Sequence, residues 1–491
     1  MTSGSTLNMT RTVRIGAMGA AIFVFCWLAY PSLTSNPGPF LEDDSYFYAQ
    51  IAYNLGVHHH SSFDMLHPTD GYHLLWGGVL AATTWVVSFV TLDKALHLTV
   101  MLSVYVGVVV LVTALFGRTF LERAVMTIVG LSCAWLMEAA VLTLLLLTVL
   151  SYVLDRRSVD RTVCFALLLI PLARIDATVI AAVWLLKPVL DRQWSEAWRL
   201  SACLAAGIVL HFAIMYGVHG HLTSVSFELK ASEPFDLGRN LMTNVFSVTM
   251  IRRSVLVGAF FVLAVWVWLT SGRGRDAVIG IVAPTLFIAG HTALNADVKS
   301  WYTVPILQCY VFIAFTLATT AWARWIPRAA FAAFCVYYVS SRFYLLNLNR
   351  EVASATVAFV HDLKGLVPSE QPVFHVDGGG YVGFMAERHV INGDGLVNSH
   401  EYAQGRRERT LQNYLHDNGV RYVVTNSPRR GLEASLARHG GMKVESSRLL
   451  LESVAVDRPC IGPTGSTRSG NWRLDRGTQK ERSRERIATT I

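Results

Sequence analysis

Long apolar runs recur along this 491-residue chain and limit what it can fold into. Examples are IGAMGAAIFVFCWLAYPSL (15–33), LTVMLSVYVGVVVLVTALF (98–116) and SVLVGAFFVLAVWVWLT (254–270). A helix needs about 20 such residues to cross a bilayer. Only 15% of the residues are charged, whereas a soluble domain carries about 25%. The sequence therefore predicts a multi-pass α-helical membrane protein.

The net charge of +8 comes from short basic clusters between the apolar runs. Basic residues in that arrangement orient membrane helices, because they are retained on the cytoplasmic side. They do not form the continuous basic face that nucleic-acid binding requires, so no nucleic-acid partner is expected. The seven cysteines include no Cys-x-x-Cys pair, which argues against a disulfide framework or a zinc site.

The basic clusters also predict the topology. Arg11 and Arg14 place the N-terminus in the cytoplasm, and we expect the first helix (15–34) to be a retained anchor rather than a cleaved signal peptide. If every later run crossed the membrane, the basic segment 117–123 would lie outside. We therefore expect 72–92, with its two glycines and aromatic ends, to lie along or dip into the outer face.

With that segment at the outer face, the chain crosses the plasma membrane about eleven times and nearly every basic cluster is cytoplasmic. Arg252 and Arg253 are the exception. The predicted layout is a transmembrane domain at 1–345 with its first outer loop at 35–94, an extracytoplasmic domain at 346–461, and a basic, disordered tail at 462–491.

The extracytoplasmic part alternates helix and strand patterns, which predicts a small α/β domain. Helices are expected in NREVASATVAFVHDLKGL (349–366) and EYAQGRRERTLQNYLHDNGV (401–420). Strands are expected in QPVFHVD, RYVVTNS and RLLLESVAV, and a glycine-rich loop region separates the first strand from the second helix.

One acidic cluster follows the first helix, in FLEDDSYFYAQIAYNL (40–55). Glu42, Asp43 and Asp44 precede a helical pattern of aromatic and aliphatic residues that would rest on the membrane. Carboxylates at a helix N-terminus gain about 0.3–1 kcal/mol from the helix dipole, and an ionised one could remove a proton from an acceptor hydroxyl. The alternative is a solvated acidic face, and the pattern alone does not choose between Asp43 and Asp44.

Histidines of the same loop fit a structural role as well as a functional one. His58–His60 are consecutive, so they do not share a helix face and make a poor metal site. In HPTDGYH (67–73), helix breaking by the proline, capping by a polar residue and a glycine turn explain most of the pattern. Substrate contacts from His67, Asp70 or His73 are the alternative.

Charged residues between apolar half-runs are costly unless they pair or line a cavity. Glu138 lies at one predicted hairpin tip, and Arg174 with Asp176 at another, where a self-satisfied ion pair is the alternative. Arg252 and Arg253 suit bidentate phosphate contact. Candidate substrate contacts further along the predicted outer face are Lys299, Trp301 and Tyr302, beside His219, His221, Glu228, Lys230, His291 and Asp297.

Several of these segments resemble the GT-C superfamily of integral-membrane glycosyltransferases, which take sugars from polyprenyl-phosphate carriers. The resemblance rests on EDDSYFYAQIAYNL, FDMLHPTDGYHLLWGGVL, PLARIDA, WYTVP and GYVGFMAERHVINGDGLVNSHEY. It spans about residues 10–455, and its motifs are specific together rather than singly.

The resemblance implies inverting transfer of a hexosyl or pentosyl group to an envelope glycan, lipid or protein, with an acid of the first outer loop as general base. That base is Asp43 or Asp44, and its spacing from the following Tyr-Ala favours Asp44, by similarity to lipid A aminoarabinose transferases and protein O-mannosyltransferases. Arg174, Arg252 and Arg253 are candidates for holding the carrier phosphate. Most similar enzymes need no cofactor, although the histidine-rich loop leaves use of a divalent metal open.

The rival function is a transporter or flippase of a lipid-linked or charged solute, and a third is a catalytically inactive scaffold. A transporter should place its charges at the membrane midplane in two repeated halves. Here the candidates gather on one predicted face and an exterior domain follows, so the sequence favours the glycosyltransferase.

Overall fold

The computed structural model describes residues 41–117, 119–132, 136–155, 160–231, 235–246, 251–271, 274–294, 298–318, 350–376, 379–425 and 449–452. The predicted first helix, the apolar run at 329–345 and the C-terminal tail lie outside these ranges. All of the described residues belong to one compact unit.

Helices make up most of the described chain as far as residue 318. Their bounds are α1 Asp43–His58, α2 Leu74–Ser88, α3 Lys94–Phe116, α4 Phe120–Ser132, α5 Ala139–Asp155, α6 Arg161–Ala173, α7 Thr178–Trp184, α8 Leu186–Leu190, α9 Trp194–Ile214, α10 Val225–Ala231, α11 Leu237–Leu241, α12 Ile251–Ser271, α13 Arg275–Leu294 and α14 Ser300–Leu317. A 3₁₀ turn at Ile175–Ala177 precedes α7, and π-helical turns at Met215–His219 and Met242–Phe246 extend α9 and α11.

Three helices in the described ranges are long and apolar enough to cross a membrane, namely α3, α13 and α9 with its π-helical extension (Trp194–His219). Shorter apolar helices occur at Leu74–Ser88, Ala139–Leu154, Arg161–Ala173, Val257–Ser271 and Trp301–Leu317. As the sequence predicts, the described residues contain long apolar helices that could span a membrane, while the total of about eleven spans stays a prediction.

The chain breaks between α6 and α7, where the sequence predicts a hairpin tip. Pro171 cannot donate a backbone hydrogen bond inside the last turn of α6. Arg174 then takes an extended conformation, with φ of −161° and ψ of 117°, and a 3₁₀ turn leads into α7. The break holds the Arg174 side chain in the protein interior, where it is only 2% exposed.

Helix α1 packs closely against α2 because Gly56 places no side chain between them. The Thr84 hydroxyl of α2 donates to the Ala52 carbonyl of α1 at 2.7 Å, and a Cβ on Gly56 would collide with that hydroxyl. At the start of α2, Trp76 Nε1 donates to the Leu136 carbonyl at 2.7 Å. These contacts fix α2, and with it α1, beside the segment that carries Glu138.

The C-terminal part contains a four-stranded parallel sheet in the order β2-β1-β3-β4. The strands are β1 Val373–His375, β2 Val390–Asn392, β3 Tyr422–Thr425 and β4 Leu449–Glu452. The helices of this part are α15 Arg350–Leu366, α16 Gly380–Met385, α17 His400–Glu408 and α18 Leu411–Asp417. The three strands expected from sequence are present, and the α/β arrangement lies within the same compact unit as the apolar helices.

Two sequence expectations for this part are wrong in detail. The glycine-rich region contains α16 and β2 rather than loop alone. The helix expected at 401–420 is two helices, α17 and α18, because Arg409 adopts a left-handed conformation with φ of 60° that ends the first one.

Candidate active site

The Asp43 carboxylate caps α16 of the C-terminal part. Its Oδ2 accepts hydrogen bonds from the backbone nitrogens of Gly379 at 3.1 Å and Gly380 at 2.8 Å, and its Oδ1 from Tyr381 at 3.0 Å. A Cβ on Gly380 would collide with the Asp43 carbonyl oxygen, so glycine permits this close approach. Both carboxylate oxygens of Asp43 are therefore engaged in holding the C-terminal part against α1.

Asp44, the next residue of α1, is in a different situation. It is half-buried, and burial, assisted by the negative charges of Asp394 and Asp43, raises the pKa of its carboxyl to about 8. The positive charges of Lys299 and Lys230 oppose this rise. A carboxyl whose pKa lies near neutrality is suited to exchange a proton with a substrate.

Asp394 is a functional candidate that the sequence reasoning missed. Burial and the charge of Asp43 raise its pKa to about 6, although a hydrogen bond from the Leu396 backbone nitrogen (2.9 Å) opposes the rise. Only Gly393 separates it from the end of β2, and it precedes Gly395, which has φ of +81°. An acid at the carboxyl end of a parallel strand is a usable signal, since ligands bind at that edge of parallel sheets.

The loop that carries Asp394 is clamped from two sides. The Thr69 hydroxyl, in the loop between α1 and α2, donates to the Asn398 carbonyl at 2.9 Å, and the Ser226 hydroxyl of α10 donates to the Leu396 carbonyl at 2.8 Å. Lys230 lies on the same short helix as Ser226. The clamp explains why the charges of Asp394, Lys230 and Asp44 act on one another.

Two lysines supply the positive charge of this site. Lys230 Nζ donates to the Tyr302 hydroxyl at 3.3 Å. Lys299 immediately precedes α14 and acts electrostatically on Asp44. The sequence predicts Lys299 as a substrate contact, and it places Lys230 on the outer face without selecting it. Together these cations form an anion-attracting counterpart to the carboxyls of Asp44 and Asp394.

A cluster of charged side chains lies next to Lys230 and Tyr302. Arg174 donates to Glu138 Oε1 at 2.6 Å and to both oxygens of Asp176, at 2.9 Å and 2.6 Å. Its guanidinium lies over the Tyr302 ring, 4.1 Å from the centroid. All three of its nitrogens are thus engaged within the protein. The geometry supports the ion-pair interpretation of Arg174 and Asp176, and adds Glu138 to the pair.

Other side chains complete this buried network. Tyr48 Oη donates to Glu138 Oε2 at 3.1 Å, and His73 Nε2 lies 3.4 Å from Glu138 Oε1. Burial lowers the pKa of His73 to about 4, so the ring is neutral at physiological pH. His291 Nε2 lies 3.0 Å from Asp176 Oδ2. Four sequence candidates, His73, Glu138, Arg174 and Asp176, therefore belong to one network that reaches Lys230 through Tyr302.

His67 and Asp70 contact the C-terminal part instead. His67 lies between Asp64 Oδ2 (2.9 Å) and Asn418 Oδ1 (2.6 Å). Asp70 accepts from the Val225 backbone nitrogen at 2.8 Å and lies 2.9 Å from His400 Nε2. Both residues hold the loop between α1 and α2 in place, so the structure accounts for them without a substrate.

The remaining candidates from the sequence are Glu42, Trp301, Arg252 and Arg253. The Glu42 carbonyl accepts the first hydrogen bond of α1, from Ser45 at 3.0 Å. Trp301 is buried and its ring lies 6.4 Å from that of Tyr302. Arg252 and Arg253 are in the first turn of α12, and their side chains lie outside the described part of the structure. Among the described residues, no three His, Cys, Asp or Glu side chains form a group that could hold a metal ion.

The site thus places two carboxyls of raised pKa, Asp44 and Asp394, near two lysines, at a junction of α1, α10, α14 and the C-terminal part. In such an arrangement a carboxylate can accept a proton, and the lysines can bind an anion. No protein-family model matches this sequence, and comparison with curated proteins finds no significant match.

Proposed function

We propose that this protein is a glycosyltransferase that moves a sugar from a polyprenyl-phosphate carrier to an envelope glycan, lipid or protein on the extracytoplasmic face, with inversion at the anomeric carbon. The observation that carries the proposal is Asp44, a carboxyl of raised pKa near Lys230 and Lys299. The GT-C resemblance of the surrounding segments supports the same assignment.

In the proposed reaction, the Asp44 carboxylate takes the proton of the acceptor hydroxyl. The acceptor oxygen then forms a bond to the anomeric carbon as the bond from that carbon to the carrier phosphate oxygen breaks. The bonding electrons leave with the polyprenyl phosphate. Lys230 and Lys299 stabilise the negative charge on that phosphate, which is the role of electrostatic catalysis in such a transfer.

This assignment separates two residues that the sequence leaves equivalent. Asp43 has both carboxylate oxygens occupied by three backbone N–H groups, whereas Asp44 interacts electrostatically with Lys230 and Lys299. The contacts of Arg174 with Glu138 and Asp176 likewise favour the lysines over Arg174 as the groups that bind phosphate.

One observation favours the second candidate, a transporter or flippase of a lipid-linked or charged solute. The break between α6 and α7 presents a charged residue between half-helices, as broken helices do in many transporters. Arg174 is, however, fully paired within the protein, which leaves it poorly suited to hold a mobile ion.

The direct test starts with envelope lipid and glycan analysis of a deletion strain, which identifies the missing sugar. Purified protein in proteoliposomes is then given the corresponding polyprenyl-phosphate sugar and acceptor. We expect transfer by the wild type and a loss of at least about 100-fold in kcat for Asp44→Asn. Asp417→Asn, at an exposed residue, is the matched control. Full transfer by Asp44→Asn would overturn the assignment, and solute movement across the bilayer without transfer would favour the transporter.

A further inference from the structure

Helices α6 and α9 run parallel and in close contact. A Cβ on Gly207 of α9 would collide with the Leu168 carbonyl of α6, and the Cys164 thiol of α6 contacts the Cys203 thiol of α9. The residues of the second contact precede those of the first by four positions on both helices. The chain therefore runs in the same direction along α6 and α9. Arg161, the first residue of α6, and Arg199 of α9 therefore lie at the same end of the pair.

An open groove of about 920 Å³ follows this helix pair. Its lining includes Arg161, Leu168, Arg199, Ala202, Cys203 and Ala206. The floor is apolar and made largely of small side chains, while both arginines lie at one end. Phe165 is 59% exposed and Trp198 78% exposed at its edges, an apolar surface that a membrane rather than water would cover.

We propose that this groove binds an anionic membrane phospholipid. Its phosphate lies between Arg161 and Arg199, and one acyl chain follows the floor past Cys164 towards Leu168 and Ala206. Arginine is suited to this contact because its planar guanidinium makes paired hydrogen bonds to phosphate oxygens. The exposed Trp198 adjoins Arg199, and tryptophan is enriched at the boundary between head groups and hydrocarbon.

The described lining residues at this end of the groove carry a net positive charge, which favours binding of an anion. Among the lining residues that the structure describes, Asp160 is the only acid, and its Oδ1 already accepts from the Val163 backbone nitrogen at 3.0 Å as the N-cap of α6. The N-terminus of α6 adds a positive dipole end beside the arginines. From Arg161 to Leu168 the helix rises about 10 Å, enough to seat the first part of an acyl chain.

This groove is separate from the proposed transfer site. Arg161 begins α6 and Arg174 follows its last residue, so the arginine end of the groove lies about 20 Å along the helix from the buried network. The lipid is accordingly a structural ligand of the helix pair, and its binding does not depend on the proposed sugar transfer.

Native mass spectrometry of the purified full-length protein tests the proposal with phosphatidylglycerol and phosphatidylcholine as probes. We expect the wild type to retain phosphatidylglycerol at least about tenfold more than the R161Q/R199Q double variant, a difference that corresponds to 1.4 kcal/mol. R192Q, an exposed arginine outside the groove, should retain it as the wild type does. Equal retention of the two lipids by the wild type, or unchanged retention by the double variant, would overturn the proposal.

A second variant tests the acyl-chain part without changing charge. Ala206 is exposed in the groove, so Ala206→Trp fills the groove without crowding the interior and should also reduce phosphatidylglycerol retention. Inorganic phosphate serves as the competing probe. If phosphate alone, at millimolar concentration, displaced the lipid and raised Tm as much as phosphatidylglycerol does, the site would be a simple anion site and the lipid assignment would be wrong.

Discussion

The Asp43 carboxylate lies 2.8 Å from the backbone nitrogen of Gly380, although 336 residues separate the two along the chain. The same carboxylate also accepts from Gly379 and Tyr381. This contact joins α1 to the C-terminal part immediately beside Asp44. Asp43 thus fixes the architecture, and Asp44 is the residue that we propose as the general base.

Replacing Asp43 by alanine should detach α16 from α1. The change removes three hydrogen bonds to a charged acceptor, and we expect the local stability of 379–385 to fall by about 2 kcal/mol or more. Hydrogen exchange at the amides of Gly379, Gly380 and Tyr381 measures this directly, because those N–H groups lose their acceptor. Asp417→Ala, at an exposed residue, is the control.

Asp43→Asn separates structure from catalysis. It keeps one acceptor oxygen but removes the charge that helps to raise the pKa of Asp44. We expect reduced protection of α16 with sugar transfer retained in part. Complete loss of transfer with unchanged hydrogen exchange at 379–381 would instead make Asp43 the base and contradict our assignment of the two acids.

The pH dependence of kcat for sugar transfer should depend on the charged residues around Asp44. Because its pKa is raised to about 8, the active carboxylate becomes more abundant as pH rises, and kcat should increase towards that value. Asp394→Asn removes a negative charge, which lowers the pKa of Asp44 and shifts the profile to lower pH. Lys230→Met removes a positive charge and should shift it to higher pH. Shifts in the same direction for both variants would rule out the proposed arrangement.

Part of this site could be predicted from sequence because charged side chains are costly within apolar, membrane-type segments. Glu138, Arg174 and Asp176 interrupt apolar runs, and charged groups there must find partners; the structure shows that they find one another. Asp394 could not be predicted so easily, since its closeness to Asp44 depends on how a short strand and a loop pack on residues hundreds of positions away. For the same reason, nothing local distinguishes Asp43 from Asp44. The difference arises at Gly379–Tyr381.

The buried ion pair should be important for stability. Arg174 is 2% exposed and Glu138 0% exposed, so Arg174→Met removes the cation from the buried Glu138 carboxylate and from the half-buried Asp176 carboxylate. We expect a loss of about 3–5 kcal/mol, measured as a lowered Tm in detergent. Arg174→Met combined with Glu138→Gln removes one uncompensated charge and should recover part of that loss. Recovery by the double variant distinguishes charge burial from loss of packing against Tyr302.

The His400 contact should make docking of the C-terminal part pH-dependent. His400 Nε2 lies 2.9 Å from Asp70 Oδ2, and Nδ1 lies 3.2 Å from Glu228 Oε1. Since a carboxylate only accepts, both ring nitrogens must carry protons, so the bound form is the cation. Burial alone would lower the pKa of His400, but the hydrogen bond and charge of Asp70 and the charge of Glu228 raise it above 6.5.

Other charged and titratable groups face the same ring. His221 stacks on it with centroids 3.7 Å apart, Arg407 lies 3.6 Å from Glu228, and His219 is close enough to interact electrostatically with His400. Because the folded-state pKa of His400 is raised, its stabilising contribution is complete below pH 6.5 and is lost as pH rises through the folded value. We therefore expect α17 to exchange its amide protons faster at pH 8 than at pH 6, after correction for intrinsic rates. His400→Gln should remove this difference, while His416→Gln, at an exposed residue, should preserve it; an unchanged pH dependence in His400→Gln would assign the effect to His67 or another group.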